Sequence, residues 1–222
     1  MDWLLFLLFL LVGYLLGSIP TGLILGKWLK NIDVRQFGSG KTGATNTLRT
    51  LGWKISLSVF LIDALKGGIA VWLPVLYFTD APDNWLPWVR MLAAFVCMLG
   101  HDFPVWIGFK GGRGVAVGVG ELLVVSPFVW ILTFFVTFPT ILITRYVSLG
   151  SIVGSIFTVV FTIIAIFAIN LDPRYLGFSI VSALLVIVMH RDNITRLLNG
   201  TERKLGDKAS KVKPSSEQNP TH

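Results

Sequence analysis

The sequence predicts an all-α integral membrane protein with seven transmembrane helices, the N-terminus outside and the C-terminus in the cytoplasm. Three observations lead there. Only 14% of the 222 residues are charged and 54% are hydrophobic, with a mean hydropathy of +0.73; a soluble domain carries roughly a quarter charged residues. Apolar runs recur at or near the ~17–25 residues that cross a bilayer. Lys and Arg cluster in alternate connections, as they do on the cytoplasmic side of a membrane protein.

The first run covers 4–25. Only Asp2 precedes it, so it lacks the positive n-region of a signal peptide and is also too long for one. It is read as a retained span. Further runs cover 55–78, 86–107, 128–144, 152–170 and 175–189. The segment 115–125 is shorter, contains Glu121, and is broken from the next run by Ser126-Pro127. Charge decides how to count it. Lys27, Lys30, Arg35, Lys41, Arg49 and Lys54 lie in one connection, Lys110 and Arg113 in another, Arg145 in a third, and seven more cations follow Met189. The remaining connections hold Asp80, Asp83 and Asp172, with Arg90 and Arg174 as their only cations. If the basic connections share one side, an even number of crossings separates Lys110 from Arg145. Two short spans turning at Ser126-Pro127 satisfy this and bring the total to seven. Residues 1–205 then form one transmembrane domain. The segment 206–222, with Lys208, Lys211 and Lys213, reads as a disordered basic cytoplasmic tail, its lysines suited to anionic lipid.

The net charge of +7 is thus a topology signal, and its dispersal over loops argues against nucleic-acid binding. Cys97 is the only cysteine, so an intrachain disulfide is excluded and a thiolate metal site is not expected.

Three polar, glycine-rich segments interrupt the apolar chain, and all fall on the cytoplasmic side of this topology. The first is Gly38-Ser39-Gly40-Lys41-Thr42-Gly43-Ala44-Thr45-Asn46, ending in Arg49. A nucleotide-binding P-loop needs a glycine five residues before Gly40, where Arg35 stands. What survives is an anion site: glycine amides, the positive end of a helix starting near Thr42 or Thr45, and Ser39, Thr45, Asn46 and Arg49 as side-chain donors. The ordinary alternative is a polar loop with Thr45 as a helix cap. The second segment is Gly100-His101-Asp102-Phe103-Pro104 with Lys110-Gly111-Gly112-Arg113-Gly114. Lys110 and Arg113 are assigned to ligand, and Gly118 and Gly120 to helix packing. The third is His190-Arg191-Asp192-Asn193-Ile194, continuing through Arg196 to Glu202. On a helix His190 and Asn193 share a face and Arg196 lies close by, while Glu202 either orders the arginines or is solvated. Within the spans, Asp63 and Lys66 are three apart and pair.

Taken together, these segments resemble the bacterial acyl-phosphate:glycerol-3-phosphate acyltransferases. That family carries GSG, two residues, GATN, two residues, R, as do Gly38 through Arg49. It carries GH, two residues, P, then FKGGKGVAT, met by Gly100 through Ala116 with changes. It carries HR, one residue, NI, one residue, RL, two residues, G, one residue, E, met in full by His190 through Glu202. Gly17-Ser18-Ile19-Pro20 is also similar, and the likeness covers roughly 10–204. Lys41 stands where the family often has Asn, Arg113 where it has Lys, and Val117 where it has Thr.

The resemblance implies a multi-pass protein of the bacterial inner membrane with its site facing the cytoplasm. It implies transfer of an acyl group from acyl phosphate to the 1-hydroxyl of glycerol 3-phosphate, without metal or cofactor and with no need for an oligomer. Catalytic residues would be Ser39, Arg49, His101, His190 and Asn193, the last as a hydrogen-bond donor. Substrate-binding residues would be Gly38, Gly40, Thr45, Asn46, Lys110, Gly111, Gly112, Arg113, Arg196 and Glu202. The alternatives are a transporter of an anionic solute, which glycine-broken spans and buried charge suit but which no internal repeat supports, and a divergent, inactive paralogue.

Overall fold

The computed structural model describes residues 3–78 and 85–211; Asp2, Asp80, Asp83 and Lys213 lie outside the described residues. The chain is helical, and among the described residues the only β pairing is an isolated bridge between Phe37 and Lys211. The first apolar run divides at Ser18-Ile19-Pro20 into α1 (Trp3–Ser18) and α2 (Thr21–Lys30), because a proline fixes its own backbone and has no N–H to continue the ladder. A loop leads to α3 (Ala44–Leu51), and α4 (Trp53–Trp72), α5 (Val75–Phe78) and α6 (Leu86–Asp102) follow. Then come α7 (Val115–Val125), α8 (Pro127–Thr144), α9 (Val147–Ile169), α10 (Arg174–Met189) and α11 (Arg191–Leu198).

Among the described residues five helical stretches are long and apolar enough to cross a membrane, Trp3–Lys30, Trp53–Phe78, Leu86–Ile107, Pro127–Thr144 and Val147–Ile169, and a sixth if α10 and α11, bent by 60°, make one span. The expected segment 115–125 is indeed a separate helix, shorter than these at 11 residues. It starts after Gly114 in the left-handed region and ends where Ser126 accepts a hydrogen bond from the Val129 N–H, capping α8.

The helices pack mainly as α1 on α6, α4 on α7, α8 on α9 and α9 on α10. Small residues set the first two contacts. A β-carbon at Gly17 would overlap the Cys97 carbonyl, and one at Gly120 the Ala64 carbonyl, so the backbones touch where a larger residue would force them apart. Gly118 behaves differently from Gly120: nothing lies within 4 Å of its β-carbon position, and it faces a cavity instead of a neighbouring helix. Lipid is the natural solvent for the outer faces, where Leu4, Leu61, Ile143 and Phe167 are exposed.

Within the helices Asp63, Lys66 and Glu121 are buried. Lys66 Nζ lies 2.8 Å from Asp63 Oδ1, as the spacing predicts. The pair is wider than the sequence suggests: Asp63 also accepts from Thr21 Oγ1 at 2.8 Å, and Lys66 donates to the Ile19 carbonyl at 3.1 Å. The α1–α2 break therefore supplies the acceptor that satisfies a buried ammonium. Neither carboxylate oxygen of Glu121 has a hydrogen-bond partner among the described residues.

Candidate functional site

The three polar segments meet at one cavity of about 470 Å³. Ser39, Lys41, Gly43, Ala44, Thr45, Asn46 and Arg49 line it from the first segment. His101, Gly112, Arg113 and Gly114 come from the second, and His190, Asn193 and Glu202 from the third. From this polar end an apolar groove continues between α7, α8, α9 and α10, walled by Leu122, Trp130, Phe134, Ile141, Phe178 and Val186 among others.

The glycine amides do not form the expected anion cradle. Gly38 N–H donates to Ser210 O, Gly40 N–H to Phe37 O, Gly111 N–H to Asp102 O and Gly112 N–H to His101 O. These glycines fold the loops and leave no amide open. Gly38, Gly40 and Gly111 do not line the cavity. Anion-binding potential lies elsewhere in the backbone. The starts of α3 and α7 (Gly43 to Thr45, Gly114 to Ala116) both line the cavity, and neither N-cap carries a side-chain hydrogen bond. Two uncapped helix N-termini direct free N–H groups and positive dipole ends into it. Thr45 sits inside α3 and does not cap it.

Cations surround this point. Arg113 is partly buried, and its Nε has no hydrogen-bond partner among the described residues. Burial, and then the positive charge of Arg196, push its guanidinium down to about 10. Burial likewise lowers Lys41, with Arg113 adding to the effect, and lowers Arg49. Three cations whose charge is disfavoured by their surroundings are a receptor for an anion, which restores the balance on binding. Lys41 was not among the expected site residues; it stands where the resembled family often has Asn, and its place in space reveals it. Lys110 is the reverse case. It is exposed and lies off the cavity, because the turn through Gly108 and Phe109, both in the left-handed region, swings it outward.

The two histidines are bound differently. His101 Nδ1 lies 3.0 Å from Lys66 Nζ; an ammonium only donates, so Nδ1 accepts and the proton of the neutral ring is on Nε2. That Nε2 edge lies against Gly112, whose missing side chain makes room for it. His190 Nδ1 lies 2.8 Å from the Val186 carbonyl. A carbonyl only accepts, so Nδ1 carries the proton and Nε2 of the neutral ring is a free acceptor. His190 occupies the 60° bend between α10 and α11, which is why its ring faces the cavity and not lipid.

Glu202 orders the third segment. Its carboxylate accepts from Asn193 Nδ2 at 2.6 Å, Ser148 Oγ at 2.9 Å and Arg196 Nε at 2.7 Å. Burial acts to raise its pKa, but these three donors outweigh it and hold the carboxyl below the usual range. Arg196 thus serves Glu202 and does not line the cavity. Asn193 gives one N–H of its amide to Glu202, and its Oδ1, an acceptor, is buried without a hydrogen-bond partner among the described residues. Ser148, on α9, is a residue that sequence reasoning missed; a serine in a long apolar helix carries no signal of its own. Asn46 is a structural hub as well as a lining residue, donating to the carbonyls of Val34, Phe37 and Lys41 and accepting from Ser39 N–H. Among the described residues no three His, Cys, Asp or Glu side chains gather as a metal site requires.

Residues 7–200 match the family described as "Glycerol-3-phosphate acyltransferase". A glycerol-3-phosphate acyltransferase of Synechococcus sp. (strain CC9902) is 42% identical over 202 residues, covering 91% of this chain and 96% of its own. The enzyme of the same description from Nostoc sp. (strain PCC 7120) is 44% identical over 209 residues, covering 89% and 91%. The crystal structure of PlsY (YgiH), an integral membrane glycerol 3-phosphate acyltransferase, in its glycerol 3-phosphate form superposes with a TM-score of 0.80 at 40% identity, covering 90% of this chain and 96% of that one. The lysophosphatidic acid form gives a TM-score of 0.79. With the family pattern, relatives and fold in agreement over most of its length, the chain belongs to the glycerol-3-phosphate acyltransferase family and is a multi-pass membrane acyltransferase.

Proposed function

We propose that this enzyme transfers a fatty acyl group from acyl phosphate to the 1-hydroxyl of sn-glycerol 3-phosphate, releasing phosphate and 1-acylglycerol 3-phosphate. The observation that carries the reading is the shape of the cavity: a cationic end with two helix N-termini opens directly into an apolar groove. On α9 the lining positions run from Val147 to Thr158, and on α8 from Trp130 to Ile141. At about 1.5 Å per residue each stretch spans roughly 16 Å, room for much of a fatty chain lying along the helices.

The groove wall begins at the N-terminus of α7, so an acyl chain in the groove brings its phosphate to Arg113 and the free N–H groups of Val115 and Ala116. The smaller phosphate, that of glycerol 3-phosphate, falls to Ser39, Lys41, Arg49 and the start of α3. Its 1-hydroxyl then meets two acceptors, His190 Nε2 and Asn193 Oδ1. His190 takes the hydroxyl proton, or holds the hydroxyl while the donor phosphate takes it. The oxygen attacks the acyl carbon, the carbon–oxygen bond to phosphate breaks, and phosphate leaves with the electron pair. Donors placed in advance around the developing charge, together with orientation of two bound anions, supply the rate. An acyl phosphate is already activated, so the chemistry asks for no metal or cofactor.

Seven spans, with the N-terminus outside and the three polar segments in the cytoplasm of a bacterial inner membrane, fit both the distribution of Lys and Arg and the solubility of glycerol 3-phosphate. A monomer contains the whole cavity. Purified protein given labelled glycerol 3-phosphate is expected to form lysophosphatidic acid with acyl phosphate and not with acyl-CoA; product from acyl-CoA alone would overturn the donor assignment.

A further inference from the structure

Residues 203–211 lie beyond the 7–200 stretch that defines the family match. Composition predicts disorder from 206 onward, yet the chain as far as Lys211 is laid across the first polar segment. Leu205 anchors it: its N–H donates to Arg145 O at 2.6 Å, and its carbonyl accepts from Arg145 Nη2 at 2.9 Å. A turn follows, with the Lys204 N–H donating to the Asp207 carboxylate at 2.7 Å and Gly206 at a φ of 98°. Past the turn, Ala209 N–H donates to Arg49 O at 3.1 Å, and Ser210 O accepts from Gly38 N–H at 2.9 Å. Lys211 pairs with Phe37 as an antiparallel bridge. Earlier in the segment, Arg203 O accepts from Arg49 Nη2 at 3.0 Å.

Two of these contacts hold Arg49, and one holds Gly38, the neighbour of Ser39; Arg49 and Ser39 line the cavity. Arg49 is held twice, by its own carbonyl and by one guanidinium nitrogen, which leaves the rest of its fork free. Ser39 is fixed through its neighbour Gly38. A long side chain and a glycine loop are the groups with most freedom to lose when an anion binds, so fixing both beforehand favours binding. The contacts of Ala209, Ser210 and Lys211 fall on the first segment alone.

We propose that residues 203–211 form a strap that positions Arg49 and Ser39 for the phosphate of glycerol 3-phosphate. The strap's role rests on the acyl-transfer reading above. Its members are positioning residues and touch no substrate.

Two shortened enzymes test it. A chain ending at Asp207 keeps the Leu205 anchor and loses the contacts of Ala209 to Lys211; a chain ending at Lys211 keeps all of them. The first is expected to show a KM for glycerol 3-phosphate raised about tenfold, on the scale of two lost hydrogen bonds, with kcat and the KM for acyl phosphate little changed. The second should match the full chain. Ala209→Pro, which removes the N–H given to Arg49, should move the same KM in the same direction by less, and it carries the test if the Asp207-ending chain does not fold. An unchanged KM for glycerol 3-phosphate, an equal rise in both KM values, or a loss of Tm with both KM values intact overturns the strap. Failure of the full-length enzyme to make lysophosphatidic acid would instead overturn the acyl-transfer reading.

Discussion

His101 and His190 both line the cavity and differ in what holds Nδ1. At His101 it is a lysine ammonium at 3.0 Å; at His190 it is a backbone carbonyl at 2.8 Å. The first partner makes the ring an acceptor at Nδ1 and a donor at Nε2. The second does the opposite. Residue type alone does not say which nitrogen of a neutral ring accepts and which donates, but the partner at the far nitrogen does. His101 is held by Lys66 and packs against Gly112, with its donor at Nε2; His190 presents a lone pair at Nε2 to the site.

The largest expected effect breaks the His190 side. His190→Ala should lower kcat/KM by about 10²–10⁴-fold, the range for a lost acid–base group, with Tm nearly unchanged. A large Tm loss with activity retained would place His190 in the framework. Next comes the His101 side. Gly112→Ala pushes a methyl group into the His101 ring, and an activity loss of about 10²-fold is expected from a displaced framework, together with a lowered Tm. Full activity and Tm would show that the ring is not boxed as described.

A smaller effect sharpens the view of the cation that lines the cavity with the histidines. Arg113→Lys restores the family's usual cation but exchanges a planar fork for a point charge. A change in the KM for acyl phosphate within about tenfold, and none for glycerol 3-phosphate, would tie Arg113 to the donor phosphate. The reverse selectivity would exchange the two phosphate positions. The smallest effect is on stability. The Glu202 carboxyl is held below its ordinary 4.5, so its stabilising contribution is complete above that pH and is lost as pH falls through the lower folded value. Glu202→Gln should melt about 2–4 °C below the unaltered protein at pH 7, and the gap should close below pH 4.5. A gap independent of pH would mean that shape, not charge, is what Glu202 supplies.

Much of this was legible beforehand, for physical reasons. Lipid demands long apolar helices whatever their neighbours, so the runs 55–78 and 86–107 read almost as they fold. The Asp63–Lys66 pair was visible because three residues is a contact distance on any helix. The start of α3 near Thr42 or Thr45 was visible from its glycine and threonine flank. Other features depend on what arrives from elsewhere in the chain. Lys110 and Arg113 look equivalent in sequence, yet a left-handed turn at Gly108 and Phe109 turns one out and leaves the other in. Gly118 and Gly120 look alike, yet only Gly120 meets a neighbouring backbone.

By itself, then, the sequence determined the solvent of the chain, the helices that solvent requires, and the three polar segments whose order and spacing mark the family. These depend on local composition and periodicity. Tertiary structure alone decided which nitrogen of each histidine accepts, that the amides of Gly38, Gly40, Gly111 and Gly112 bind backbone, and that residues 209–211 lie on the first segment. Each of these is a choice of hydrogen-bond partner among groups far apart in sequence, and a buried polar group takes whichever partner the packing brings to it.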